Sequence, residues 1–216
     1  MNLYAYHPND PTRAQVHIDN WVVQYGVHTD GRCKVCHNSI YVRAEKTQKQ
    51  THFAHYQNSE CPTIKTNHQY YAHLTNQPKD PQLAAAAKQW VSDNLCHVFE
   101  TIKSILDKRF YWWEFHSMLK TANELDIWSI QGMPHYYIPY VLLMCKETFE
   151  ANQYGRKQSC YFVLETTPST GAFVWNDPAA QKKYLWQITL PNRDVIEHEI
   201  TDNTATDVQK AIQLLS

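Results

Sequence analysis

Three cysteines and two histidines are the residues whose types and spacing define a chemistry. Cys33 and Cys36 are separated by Lys34 and Val35, His52 and His55 flank Phe53 and Ala54, and Cys61 follows. Soft thiolates plus one imidazole, four donors in all, make a tetrahedral Zn2+ site. Two histidines compete for one position. On a strand His52 and His55 face opposite sides, because side chains alternate, and His55 lies at the end nearer Cys61. The expected ligands are therefore Cys33, Cys36, His55 and Cys61, with His52 as the competitor. Protein then fills all four positions, so the expected Zn2+ is structural and leaves no place for an activated water.

Such a quartet needs a tight turn for the thiol pair and a strand to carry the imidazole. Thr29-Asp30-Gly31 is a turn signal just before Cys33. Residues 40–42 are β-branched and aromatic, and residues 50–53 read as their partner strand. A ribbon of this size cannot bury enough apolar surface to fold alone. The metal would supply most of its folding free energy, on the order of 10 kcal/mol or more.

Charge places any anion-binding surface near this ribbon. The whole chain carries a net charge of −1 with a pI near 6.9, more acidic than a free-standing non-specific DNA binder. Residues 1–79 differ: eight Lys and Arg against five Asp and Glu give +3, and eight of the twelve His lie there. Hydrophobic residues at 43% and charged residues at 19% describe a folded chain. Fourteen Tyr and seven Trp exceed what such a core needs, which leaves some for contact surface. The first residues lack a basic region followed by an apolar one, and the longest apolar run, 140–145, is too short to span a bilayer. A reducing cytoplasm and no membrane partner are expected, with Cys96, Cys145 and Cys160 as buried free thiols.

The rest of the chain reads as α+β: a small N-terminal zinc ribbon, a helical region, and a C-terminal region of short antiparallel strands with a final helix. The corresponding segments are 1–79, 80–158 and 159–216. Residues 80–108 give the clearest helical signal, with Asp80 as N-cap, Pro81 at N1 and one apolar stripe from Leu83 to Leu106. A second helical pattern follows Arg109-Phe110-Tyr111-Trp112-Trp113, and a third spans 140–152. Adjacent tryptophans cannot share one helix face, so one of them is expected to be partly exposed. Strands are expected at 161–164, 173–175, 184–190 and 195–200, with a hairpin around 168–170. A last helix is expected from Thr204 to near Leu215.

Catalytic motifs are scarce. No Gly-rich phosphate loop, dinucleotide fingerprint or Ser-His-Asp string stands out, and the chain has five Gly. Glu197 and Glu199 share a strand face and read as solvated edge residues.

Two resemblances bear on function. The run Cys33-x-x-Cys36, Val42-Arg43, His52-Phe53-Ala54-His55, Cys61 resembles the N-terminal zinc ribbon of the competence protein CoiA family over about residues 27–75. That likeness implies a downstream nuclease-like domain with a carboxylate-and-lysine metal site. The nearest carboxylates, Asp126 and Glu165, lack the accompanying lysine: Thr166 and Thr167 follow Glu165, and Lys146 stands in the wrong order. In overall arrangement the chain is similar to the small "large subunit" of type IV CRISPR effector complexes. That likeness implies a cytoplasmic subunit of a ribonucleoprotein, binding the guide-RNA 5′ end, a flanking motif on target DNA, and other protein subunits. Lys34, Arg43, Lys46, Lys49 and Lys65 would then contact phosphates or base edges. His68, Arg109 and Trp112 join them as candidate nucleic-acid contacts, the tryptophan by stacking. A DNA-processing enzyme and a zinc-stapled protein–protein adaptor are the alternatives.

Overall fold

A computed structural model of the chain describes residues 2–43, 51–59, 61, 63–64, 72–75, 77–152, 155–164, 175, 183–191 and 194–202. The fold is α+β, with three small antiparallel sheets among the described residues.

The N-terminal segment wraps the ribbon. Strands β1 (Tyr4–Ala5) and β2 (Val16–His17) pair, and helix α1 (Ile18–Tyr25) follows at once. His17 caps this helix, its Nδ1 accepting from the Asp19 amide at 3.4 Å. Trp21 is fully buried, meets the Phe53 ring edge-on at 5.4 Å, and donates its Nε1–H to the Thr29 carbonyl at 3.1 Å. Strands β3 (Gly31–Arg32), β4 (Ser39–Arg43) and β5 (His52–His55) form the ribbon sheet in that order. Asn2 bridges to Phe53 and Tyr6 to Arg32, so the N-terminal segment ties both edge strands together. Gly31 marks the tightest approach: a Cβ there would lie 2.6 Å from the Ala5 Cβ and 3.1 Å from the Trp21 ring. Gly31→Ala is therefore expected to lower stability by about 1–3 kcal/mol. A thermal melt reads this, and an unchanged midpoint would show that the contact is not tight.

The expected 80–108 helix is two helices. After the short α2 (Ala72–Thr75), α3 (Leu83–Asp93) and α4 (Leu95–Ile105) are broken at Asn94, whose φ of −117° and ψ of 24° leave the helical region. The Asn94 side chain donates to the Trp90 carbonyl at 2.8 Å and so competes for a helix acceptor. Helix α3 starts at Leu83 with Gln82 at its N-cap, so Asp80, expected as the cap, closes the turn before it instead, its Oδ1 accepting from the Gln82 amide at 3.0 Å. Helix α5 (Trp112–Glu124) follows. Helix α6 (Ile138–Met144) ends well before residue 152, because Phe149 is drawn into a strand bridge with Cys160 and is fully buried.

Strands β6 (Cys160–Leu164), β7 (Tyr184–Thr189) and β8 (Val195–Glu199) form a sheet that serves two cores. Alternation divides its faces. Cys160, Phe162, Leu164 and Leu185 pack with the helices, alongside Val98, Ile102, Phe115 and Leu142. Tyr161, Val163, Trp186 and Ile188 pack with the ribbon, alongside Trp21, Val35, Ile40 and Phe53. Every residue of β6 is buried. The sheet is thus a wall between the helices and the ribbon. The expected final helix, and the hairpin and strand of 165–175 apart from Trp175, lie outside the described residues.

Candidate metal centre

The ribbon converges on the four predicted ligands. Cys33 follows β3 directly, and Cys36 is brought back beside it by a turn in which the Cys33 amide bonds the Asn38 carbonyl at 2.9 Å and the His37 amide bonds the Cys33 carbonyl at 2.9 Å. His37 takes a positive φ of 59° to close that turn. His55 ends β5, paired with Ile40 across the sheet, and Cys61 arrives from the segment beyond. The donor atoms of Cys33, Cys36, His55 and Cys61 all lie within 4.8 Å of one another. His52, paired with Arg43 at the far end of β5, is outside this cluster.

The spacing fits a bound ion. Metal–sulfur bonds of about 2.3 Å and metal–nitrogen bonds of about 2.0–2.1 Å in a tetrahedron give edges of roughly 3.8 Å and 3.6 Å. The Cys33 and Cys61 sulfurs are 4.0 Å apart, and the Cys36 sulfur is 3.5 Å from His55 Nε2. Outer contacts orient the donors: the Val35 amide donates to Cys33 Sγ at 3.4 Å, and Thr63 Oγ1 lies 3.0 Å from Cys61 Sγ.

Electrostatics point the same way. Contacts from Cys36 and Cys61 hold the Cys33 thiol well below its ordinary range, as a thiolate accepting from two thiols. That thiolate pushes Cys36 up to about 12 and raises Cys61 as well. Three sulfurs this close and this buried cannot all ionise without a cation among them. A metal ion is what the cluster can hold. The three cysteines away from the centre differ. Cys145 and Cys160 are buried thiols, pushed up by that burial to about 12 and about 11. Cys96, expected to be buried, is exposed because it lies off the buried stripe of α4 formed by Val98, Phe99 and Ile102.

The expected nucleic-acid contacts are scattered. Lys34 turns inward: its Nζ donates to Glu197 Oε1 at 2.9 Å and to the Val195 carbonyl at 3.3 Å, and its side chain is 11% exposed. A phosphate at Lys34 would have to displace Glu197, which is exposed on the edge strand β8 as expected and also pairs with the ribbon through Lys34. Arg43 is exposed at the end of β4. Lys46, Lys49, Lys65 and His68 lie outside the described residues. Arg109 and Trp112 stand together elsewhere, at the start of α5. Both adjacent tryptophans are at the surface there, Trp112 48% and Trp113 58% exposed. Trp112 stacks on Phe99 at 4.1 Å and 14°, and the Lys146 ammonium lies 5.8 Å from the Trp113 ring centroid.

Beneath them sits a pair that sequence reasoning missed. Arg156 grips Glu114 with both guanidinium ends, at 3.0 and 3.1 Å, and also donates to the Arg109 and Glu150 carbonyls. Both side chains are buried. Nothing local in the sequence could have found it, since the partners lie 42 residues apart.

No family model, curated protein or solved structure matches this chain. Among the described residues no helix is long and apolar enough to cross a membrane.

Proposed function

We propose that the chain is a zinc-ribbon nucleic-acid-binding subunit of a larger ribonucleoprotein, with Zn2+ as the structural ion of Cys33, Cys36, His55 and Cys61. Thiolate-rich tetrahedral sets favour Zn2+, which would here crosslink the ribbon and supply no reaction. The observation that carries the binding reading is the exposed Trp112–Trp113 pair. Large aromatics left at the surface, one stacked on Phe99 and preceded by Lys108 and Arg109, form a platform on which unpaired bases can stack while cations meet the backbone. A near-neutral chain suits a subunit whose partners supply the remaining positive charge. An N-terminal ribbon ahead of helices and short strands is what supports the more specific reading, a type IV-like CRISPR effector subunit in the cytoplasm.

Fluorescence anisotropy with single-stranded RNA, single-stranded DNA and duplex of one sequence tests this. Trp112→Ala and Trp113→Ala are expected to weaken single-strand binding by about 1–3 kcal/mol for each stacked base lost. Arg109→Ala is expected to flatten the salt dependence by roughly one phosphate contact. Absence of binding, or binding indifferent to all three changes, would favour a protein–protein adaptor. Metal-dependent cleavage of plasmid would favour the nuclease-like alternative.

A further inference from the structure

We propose that the metal centre works as a lock between the ribbon and the C-terminal sheet, closed through Lys34 and Val35, so that this joint opens when the metal leaves. The inference rests on occupancy of the centre by zinc. It concerns the joint rather than nucleic-acid binding.

Lys34 and Val35 are the two residues enclosed between Cys33 and Cys36. Ligation of both cysteines fixes the backbone that carries them. Each then reaches the same sheet by a different chemistry. Val35 is 3% exposed and packs in the cluster that includes Tyr161, Val163, Trp186 and Ile188. Lys34 extends over the Trp186 ring, 5.6 Å from its centroid, to Glu197 and the Val195 carbonyl on β8. Val195 and Glu197 lie more than 160 residues from Lys34 in sequence, so chain connectivity does nothing to hold them.

Metal removal acts on this joint first. Cys33 and Cys61 are 1% and 0% exposed. Without a cation their sulfurs and that of Cys36 are left crowded in an apolar pocket, and the turn that aims Lys34 and Val35 loses its crosslink. Glu197, with 39% of its side chain already exposed, can hydrate when Lys34 departs. The other face of the sheet keeps its support, because Phe162, Leu164 and Leu185 belong to the helical core. Opening is therefore local: the ribbon side of the wall frees itself while the helix side stays packed.

Hydrogen exchange read by mass spectrometry tests this on the whole zinc-loaded protein, after metal analysis has shown one zinc per chain. Chelation is expected to speed exchange at least about tenfold in peptides from β7 and β8 as well as in the ribbon, with α4 and α6 unchanged. Lys34→Met and Glu197→Gln are expected to keep stoichiometric zinc yet speed exchange in β8. Faster exchange confined to the ribbon strands on chelation would overturn the lock. So would equal loss of protection in α4, or variants that leave β8 as protected as in the parent. Protein that carries no zinc as purified refutes the occupancy on which the lock rests, a different failure.

Discussion

Cys61→Ser yields a protein that binds no stoichiometric metal and has an unfolded ribbon, while helices α3 to α6 persist. The expectation follows from how little else holds residues 31–61. The ribbon sheet has strands of two, five and four residues, too few to stand alone. Its side chains owe their burial to being held together. A structural zinc centre contributes on the order of 10 kcal/mol or more to such a module, comparable to the whole stability of an ordinary domain. Serine keeps the size of cysteine but offers a hard, protonated oxygen where a thiolate is needed. Metal content by elemental analysis and hydrogen exchange in β4 and β5 provide the readout. His52→Ala and His55→Ala make the comparison internal: the first retains zinc and the second loses it. Equal zinc in all three variants would remove the ligand assignment.

The second large effect is expected at Glu114 and Arg156. Glu114→Ala leaves a guanidinium that is 7% exposed without its carboxylate. Breaking one half of such a pair costs about 3–5 kcal/mol, or roughly 6–20 °C in Tm for a chain of this size. The pair also positions its surroundings. Arg156 donates to the Arg109 carbonyl at 2.6 Å and packs over the Phe149 ring at 5.3 Å. It thereby fixes the turn in which Asp107 and Lys108 take positive φ just before Trp112. The double replacement Glu114→Leu with Arg156→Met removes both charges together and is expected to be more stable than either single variant. Melting points of the two singles and the double decide this. A Glu114→Ala protein that melts with the parent would show that the pair does not stabilise the fold.

The cluster of four potential donors was legible because its logic is local. A hairpin sets the distance from Cys36 to His55, and strand alternation with position chooses His55 over His52. The ribbon strands, the second of them displaced from 50–53 to His52–His55, the helical middle and the strands near 161–164, 184–190 and 195–200 could be read for the same reason, from spacing and from β-branched or aromatic runs. What escaped was long-range or masked by pattern. The apolar stripe runs on past Asn94, so nothing in its periodicity reports that the Asn94 side chain shares the Trp90 carbonyl with its own backbone amide. Phe149 continues the composition of α6 yet serves a strand. Lys34, between two ligands on a basic segment, looks like a surface cation. Its burial depends on Glu197, which folding brings to it from the other end of the chain.

The two-faced wall has a consequence for the order in which the protein is made. Cys61 leaves the ribosome well before Cys160, the first residue of β6. At synthesis rates of about 5–20 residues per second, that interval is roughly 5–20 s. During it the apolar side of the ribbon has no wall to pack against, and Val35 and Ile40 lack the tyrosine, valine and tryptophan that later cover them. A ribbon that captures its ion once Cys61 emerges keeps its shape through that interval. A nascent chain starved of metal presents the same residues uncovered to whatever else is nearby.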